Sequence, residues 1–372
     1  MEDIFHYLNR GRRFHLTFIV THSCNLSCVY CYENAKSGKI IDENKIYEKI
    51  NLYLNDIAIG DCEISFFGGE PILCFDMIKR VCEWTWSKTW VNKYIFFITT
   101  NGTLFNKEIK NWFSINRKRF YVALSLDGTK KTHDKNRSNS FDSIDLDYFL
   151  SNWPDQPIKM TVNVEDVNNI AENIIFIHKL GFLIEGSNFA EGIEIDYEAN
   201  KTMLITQFDR LLEYYNSNEV IPAPILNLRI ENCEAKATPN KKWCGVGTDM
   251  IVYDVDMKNY PCTYFTPLTF SEEKINEILR INFFDSTIVE DKECANCYIK
   301  CVCPTCYGAN YQKYGEISKK DKSKCEFIKL RALYSAKILS NKFLKNKEYY
   351  IQNYPKRSLM LINAILKINR GI

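Results

Sequence analysis

Cys24-Asn25-Leu26-Ser27-Cys28-Val29-Tyr30-Cys31 places three cysteines on one short stretch, spaced C-x3-C-x2-C. It follows an apolar run, Phe14 to Val20, that reads as a first strand. Three thiolates on one loop can hold three irons of a [4Fe-4S] cluster and leave the fourth iron without a protein ligand. Such an iron is open to a substrate or cosubstrate, whereas a closed four-cysteine site stores structure or passes electrons. Zinc usually takes four ligands, often as two C-x2-C pairs, so this spacing suits it poorly.

The remaining composition bounds the setting of that loop. A chain of 372 residues with 46% hydrophobic and 25% charged residues is long enough for one large α/β domain plus a smaller one. Net charge is +2 but uneven: residues 313–372 carry 15 Lys/Arg against 4 Asp/Glu, which leaves the rest at −9. The start, Met1 to Arg13, is polar and lacks the apolar core of a signal peptide. No apolar run reaches the length of a membrane span; Leu359 to Ile368 is interrupted by Asn363 and Lys367. A cytoplasmic protein with neither membrane nor nucleic-acid partner is expected. In that reducing compartment an odd number of cysteines, 15, clustered late in the chain, points to metal or cluster ligation and away from disulfides.

Working outward from the loop, β-rich runs alternate with helical ones. Strands are expected at Phe14–Val20, Cys62–Phe67, Tyr94–Thr100, Phe120–Leu126, Ile158–Val164 and, more weakly, Gly192–Tyr197. Helices are expected at Glu43–Ile57, Phe75–Trp86 and Ile170–Leu180, the last stopped by Gly181. This alternation argues for a parallel sheet, either open and doubly wound or a partial barrel. The strand tips decide between the two. Gly68-Gly69-Glu70-Pro71, Asn101-Gly102 and Asp127-Gly128 each follow the C-terminal end of a strand, as the cysteine loop does, and barrels gather their active sites at that face.

From about Asn232 cysteines and turns become dense. After a helical Thr202–Ser217, Pro222 and Pro224 suggest a linker and a boundary near 220–240. The tail from Phe327 repeats Phe327, Leu330, Tyr334, Ile338 at helical spacing. Its basic face is either a solvated surface or a place to hold an acidic partner.

Joined together, the cysteine loop, Phe66-Phe67-Gly68-Gly69-Glu70-Pro71 and Ser125-Leu126-Asp127-Gly128 with His133, Asp134 and Arg137 resemble the radical S-adenosylmethionine (SAM) superfamily, in its peptide- and protein-modifying branch. The resemblance implies a partial (β/α)6 TIM-like barrel over 1–225. It implies that SAM chelates the open iron of the cluster on Cys24, Cys28 and Cys31 and is cleaved reductively to a 5′-deoxyadenosyl radical. By position, Gly68 and Gly69 let backbone approach the methionine end, and Glu70 offers a carboxylate to its ammonium. Ser125 and Arg137 contact SAM, the guanidinium at its carboxylate. Tyr30 lies against the adenine or packs in the core, and Asn101 reaches the ribose or simply shapes a turn. His133 either joins this motif's function or makes a structural hydrogen bond.

The second half resembles the SPASM extension of the same superfamily. Cys244 and Cys262 form a separated pair, followed by Cys294-x2-Cys297-x5-Cys303-x2-Cys306 and, after eighteen residues, Cys325. The gap from Cys303 to Cys306 is one residue shorter than the family pattern, and the last gap is one longer. The resemblance implies a small cysteine-rich SPASM domain over 226–330, a basic helical tail over 331–372, and two auxiliary [4Fe-4S] clusters, three clusters in all. The first auxiliary cluster would take Cys244, Cys262 and Cys306, its fourth ligand being Cys233, Cys301 or none. The second would take Cys294, Cys297, Cys303 and Cys325. Cys62, Cys74 and Cys82 lie in strand or helix patterns and are expected as small buried hydrophobes.

Three functions follow from this resemblance. The leading expectation is a maturase that oxidatively cross-links a ribosomally made peptide through a thioether or carbon–carbon bond. It would be served by a flavodoxin- or ferredoxin-type reductant. Only some thirteen residues precede the first strand, so leader recognition would fall to a separate protein or to this chain's own surface. The second is an anaerobic sulfatase-maturating enzyme making formylglycine. Against it, Cys262 is followed by Thr263 and Tyr264 where those enzymes carry an aspartate, and Phe67 stands where they usually carry glutamine. The third is an iron–sulfur electron carrier, which would need no SAM pocket; Glu70, Ser125 and Arg137 argue against it. The catalytic base is not identified by the sequence.

Overall fold

The computed structural model describes residues 13–192, 194, 196–234 and 242–371. Strands β1 (Phe14–Thr21), β2 (Cys62–Gly68), β3 (Tyr94–Thr100) and β4 (Phe120–Leu124) pair in parallel, each with the next. Helices α1 (Glu43–Asn55), α2 (Phe75–Trp86) and α3 (Lys107–Asn116) form the crossovers. Their starts are set by side chains that satisfy free amides: Asp42 accepts from the Asn44 N–H at 3.0 Å, and Asn106 from that of Ile109 at 2.9 Å. Ile46, Ile50 and Leu54 recur every fourth residue and are the buried face of α1. Phe66, Phe96 and Phe120 stack across β2, β3 and β4, with adjacent centroids 5.6 and 5.7 Å apart.

After β4 come α4 (Lys130–Asn136) and α5 (Leu146–Asn152). The line of β4 continues at Ser125, which bridges in parallel to Lys159, and the Leu126 N–H donates to the Lys159 carbonyl at 3.0 Å. Lys159 lies in β5 (Ile158–Val162), which forms a two-stranded sheet with β6 (Ile184–Phe189); α6 (Ile170–Lys179) joins them. The sixth strand therefore lies earlier than the Gly192–Tyr197 expected from sequence. Tyr197 instead opens α7 (Tyr197–Ser217), because Asp196 caps it by accepting from the Ala199 N–H at 3.0 Å. Residues 193 and 195 lie outside the described residues.

The other edge of β1 is covered by a strand from far down the chain. β7 (Met250–Tyr253) pairs with it in parallel, and β8 (Asn259–Tyr260) folds back antiparallel on β7, giving the order β4-β3-β2-β1-β7-β8. The sequence reading marked this region only as turn-rich. The β-prone run Met250-Ile251-Val252-Tyr253 is short enough to pass unnoticed between turns.

Two compact units are interleaved along the chain. Of the described residues, one comprises 13–159 and 244–285; the other comprises those of 160–234, with 242–243 and 286–371. These units and the three consecutive segments expected from the motifs divide the chain by different criteria, packing in one case and cysteine content in the other. Pro222 to Leu226 does not behave as a loose linker: Ala223, Ile225 and Leu226 are fully buried. In the first unit α8 (Glu272–Ile278) follows β8, and the second unit ends in α9 (Tyr307–Tyr314), α10 (Cys325–Lys345), α11 (Lys347–Asn353) and α12 (Pro355–Gly371). Phe327, Leu330, Tyr334 and Ile338 are all buried on α10, as their spacing predicts. Among the described residues no helix is long and apolar enough to cross a membrane.

Candidate active site

The cysteine loop leaves β1 and is pinned from three sides. The first is the tip of β2. The Gly69 N–H donates to the Thr21 carbonyl at 3.1 Å and the Glu70 N–H to that of Ser23 at 2.9 Å. A Cβ on Gly69 would stand 2.2 Å from the Ser23 carbonyl oxygen and 2.9 Å from Cys24 Cβ; one on Gly68, where φ is +133°, would stand 2.2 Å from the Thr21 oxygen. The glycine pair thus lets β2 press against the backbone that carries the first cysteine.

The second side is β3. Glu70 is 1% exposed and accepts from the Ile72 N–H at 3.1 Å, the Thr100 hydroxyl at 2.8 Å and the Asn101 N–H at 2.8 Å. Burial pushes its carboxyl up to about 7, against these donors. Both oxygens tie two strand tips together through these bonds, which use three of the about four acceptor sites of a carboxylate. Asn101 is likewise occupied: its amide donates to Asn25 Oδ1 within the cysteine loop at 2.9 Å, and its oxygen accepts from the Thr103 N–H at 3.0 Å.

The third side is α4 and the turn after it. The Val29 N–H donates to the Asn136 carbonyl at 3.0 Å and the Ser27 N–H to the Ser138 hydroxyl at 3.0 Å. Between them, Arg137 grips the fully buried Asp127 through two hydrogen bonds, Nε to Oδ2 at 2.9 Å and Nη2 to Oδ1 at 3.2 Å. The Tyr30 hydroxyl donates to the same Oδ2, and the guanidinium lies over the Tyr30 ring, 5.4 Å from its centroid. Tyr30, Asp127 and Arg137 therefore form one buried polar cluster directly under Cys28 and Cys31. His133 belongs to the same support. Its Nδ1 accepts from the Asp127 N–H at 3.4 Å, its Nε2 meets the Ser140 hydroxyl at 3.1 Å, and burial pushes the imidazole down to about 4. Of the two roles open from sequence, the structure gives His133 the structural hydrogen bond.

Ser125 sits beside this cluster, its N–H donating to the Thr100 carbonyl at 2.9 Å. The structure thus brings Cys24, Cys28, Cys31, Tyr30, Gly68, Gly69, Glu70, Asn101, Ser125 and Arg137 to one end of the parallel strands. Several neighbours were missed. Asp127 has no role of its own in the motif reading, although a carboxylate directly after the apolar run ending at Leu126 is a natural partner for a nearby arginine. Glu33 is buried, and burial pushes it up to about 7, with Lys36 and Lys159 pulling the other way. His22 joins β1 to the β7 turn through a 2.6 Å bond to Asp254. Tyr32 stacks on Tyr264 with centroids 4.8 Å apart, so the residue after Cys31 touches the second residue after Cys262.

The second unit holds Cys233, Cys294, Cys297, Cys301, Cys303, Cys306 and Cys325, whereas Cys244 and Cys262 belong to the first. A cavity of about 330 Å³ is walled by Cys294, Cys297, Cys303, Cys306 and Cys325 together with Phe327. Burial pushes the Cys303 thiol up to about 11, with Lys320 opposing and Cys297, Cys325 and Cys294 adding to the rise. Cys306, expected with Cys244 and Cys262, lines this same cavity. Cys62, Cys74 and Cys82 are buried as expected. Among the described residues no three Cys, His, Asp or Glu side chains converge on a single ion. A four-iron cluster asks its thiols to stand further apart than zinc does, and a cavity ringed by cysteines fits the former.

Comparison with known proteins agrees with these motifs. Residues 18–145 match the Radical SAM superfamily. Over 317 residues the chain is 25% identical to a cysteine-type anaerobic sulfatase-maturating enzyme of Clostridium novyi, covering 74% of this chain and 82% of that protein. It is 30% identical over 160 residues to an uncharacterized protein of Methanocaldococcus jannaschii, covering 41% of this chain and 54% of that one, so the match spans about half of this relative. Among solved structures, anSMEcpe with bound AdoMet superposes with a TM-score of 0.66 at 18% identity, over 94% of this chain and 98% of that one. Streptococcus suis SuiB bound to its precursor peptide SuiA gives 0.51 at 15% identity, over 84% and 75%. These two likenesses are of fold. The family match begins inside β1 and ends beyond Arg137, taking in all three sides of the support around the cysteine loop, and this part of the chain is a radical SAM domain.

Proposed function

We propose that this protein is a maturase that oxidatively modifies a ribosomally made peptide, using a SAM-binding [4Fe-4S] cluster on Cys24, Cys28 and Cys31 and two auxiliary clusters in its cysteine-rich region. When bound, cluster and SAM supply hydrogen-atom abstraction from an unactivated C–H bond, SAM being split to methionine and 5′-deoxyadenosine. The chain's own contribution is rigidity. The Gly68-Gly69 tip and the Glu70, Asn101 and Asp127–Arg137 supports fix the three thiols, and Ser125 with the adjacent strand ends lines the space a cosubstrate would take. The observation that carries the peptide reading is the cysteine-walled cavity: an electron acceptor besides the SAM cluster is what an oxidative cross-link requires. A thioether or carbon–carbon bond removes two hydrogens from the peptide, and the second electron must leave. The reductant would be a flavodoxin or ferredoxin, and leader binding would fall to a separate protein or to the basic helices.

A second reading, formylglycine formation on a sulfatase, draws on the Clostridium novyi relative. Its weakness is local: the residues directly after Cys262 are Thr263 and a buried Tyr264, neither of them acidic. Anaerobic co-expression with the small open reading frame beside the gene, followed by intact-mass analysis, tests the first reading. Loss of two hydrogens or a multiple of two, absent with the Cys24→Ala, Cys28→Ala, Cys31→Ala variant, is the expected result. An unmodified peptide, together with conversion of a cysteine in a sulfatase-derived peptide to formylglycine, would move the assignment to the second reading.

A further inference from the structure

Among the cations around the cysteine-walled cavity, which Lys320, Lys324 and Lys329 also line, two are held near its cysteines by different means. Lys322 lies in the short turn just before Cys325, and its Nζ donates to Cys294 Sγ at 3.1 Å. It is aimed there by Asp291, whose Oδ2 accepts from the same Nζ at 2.7 Å and from the Lys320 N–H at 3.1 Å. Asp291 Oδ1 also caps the turn that carries Cys294, accepting from the Glu293 N–H at 3.0 Å. One buried carboxylate therefore orders both the ammonium and the thiol it addresses.

Arg331 comes from the other direction, six residues beyond Cys325 on α10. It is 4% exposed, and its guanidinium donates to the Ile225 carbonyl at 2.8 Å, the Pro224 carbonyl at 3.2 Å and Asn188 Oδ1 at 3.4 Å. Among the described residues no carboxylate is hydrogen-bonded to it, and it lines the same cavity as Cys303, whose thiol acts on its charge. Glu191 acts on it too, while pairing with Lys324 at 3.7 Å.

We infer that Lys322 and Arg331 are potential-setting residues for the auxiliary cluster on Cys294, Cys297, Cys303 and Cys325, raising its reduction potential. This rests on the auxiliary-cluster reading above. A cluster with four thiolate ligands is anionic and becomes more so on reduction. A fixed cation beside it, and a hydrogen bond to one of its sulfurs, therefore favour the reduced form. Both residues act through the cluster, tuning that site to take up an electron.

The test uses the full-length protein reconstituted anaerobically, with Cys24, Cys28 and Cys31 replaced by alanine so that auxiliary signals stand alone. Redox titration followed by electron paramagnetic resonance compares this parent with added Lys322→Met and Lys322→Arg. With iron content unchanged, Lys322→Met is expected to lower one midpoint by roughly tenfold in the reduction equilibrium, about 59 mV for a one-electron couple. Lys322→Arg is expected to restore most of it, and the other cluster's midpoint to stay put. An unshifted midpoint in Lys322→Met overturns the inference and leaves the cluster reading intact. Loss of iron from Lys322→Met alone overturns it in favour of a role in assembly. A parent without auxiliary iron overturns the cluster reading itself.

Discussion

Gly69 shows how much of the site rests on the absence of one carbon. With Ser23 oxygen 2.2 Å and Cys24 Cβ 2.9 Å from where its Cβ would lie, Gly69→Ala must push the cysteine loop off the β2 tip. Iron bound by the first cluster and SAM cleavage are both expected to fall at least tenfold, while auxiliary iron is retained; iron counts and 5′-deoxyadenosine formation measure this. The cysteines, Gly68-Gly69-Glu70 and the Ser125 to Arg137 run were legible because their residue types and spacings are rare in combination. What each side chain binds was less so. Sequence spacing brings Glu70, Asn101 and Arg137 to the site, but only the folded neighbours Thr100, Asn25 and Asp127 show how the loop is held. Those partners are ordinary residues that become informative only once strands bring them together.

At the scale of elements, α4 and its following turn act as a clamp on the cysteine loop, and His133 is buried in it as a neutral ring. Its pKa is about 4 in the fold against 6.5 for the free side chain. Protonation therefore favours the unfolded chain. The contribution of the neutral ring is full above about 6.5 and is lost as pH falls toward 4. Relative to a His133→Asn variant, the wild type is expected to lose up to about 3 kcal/mol of stability across that window. Parallel denaturant titrations of the two proteins at stepped pH check it, and equal slopes would remove His133 from the buried neutral state. Elements with strong periodicity were legible: β3 and α2 lie where the sequence put them. The sixth strand was displaced because a single capping aspartate, Asp196, turns a short alternating run into the start of α7. The β7–β8 hairpin was invisible because its pairing with β1 is set by distant contacts.

At the scale of the whole molecule, the stretch from Ser286 to Cys325 contains only short turns and the one helix α9. Such a segment has few backbone hydrogen bonds of its own, so cluster ligation should supply its order. Removing iron with a chelator is expected to lower amide protection across 291–325 at least tenfold and to leave β2 and β3 unchanged, as hydrogen exchange with mass spectrometry would read. The cysteine pattern made this region legible as a ligand set. It gave no hint that the first unit closes only with residues 244–285.

That closure has a consequence during synthesis. β1, which carries the cysteine loop, waits for β7 about 235 residues later to cover its second edge. At ribosomal rates this is roughly 12 to 50 s, during which a bare strand edge and three thiols lie open to mispairing and oxidation. Iron delivery before residue 250 emerges would meet a half-framed loop. Delivery is therefore expected to follow completion of the hairpin, and production of active protein to depend on keeping the nascent chain anaerobic and chaperoned over that interval.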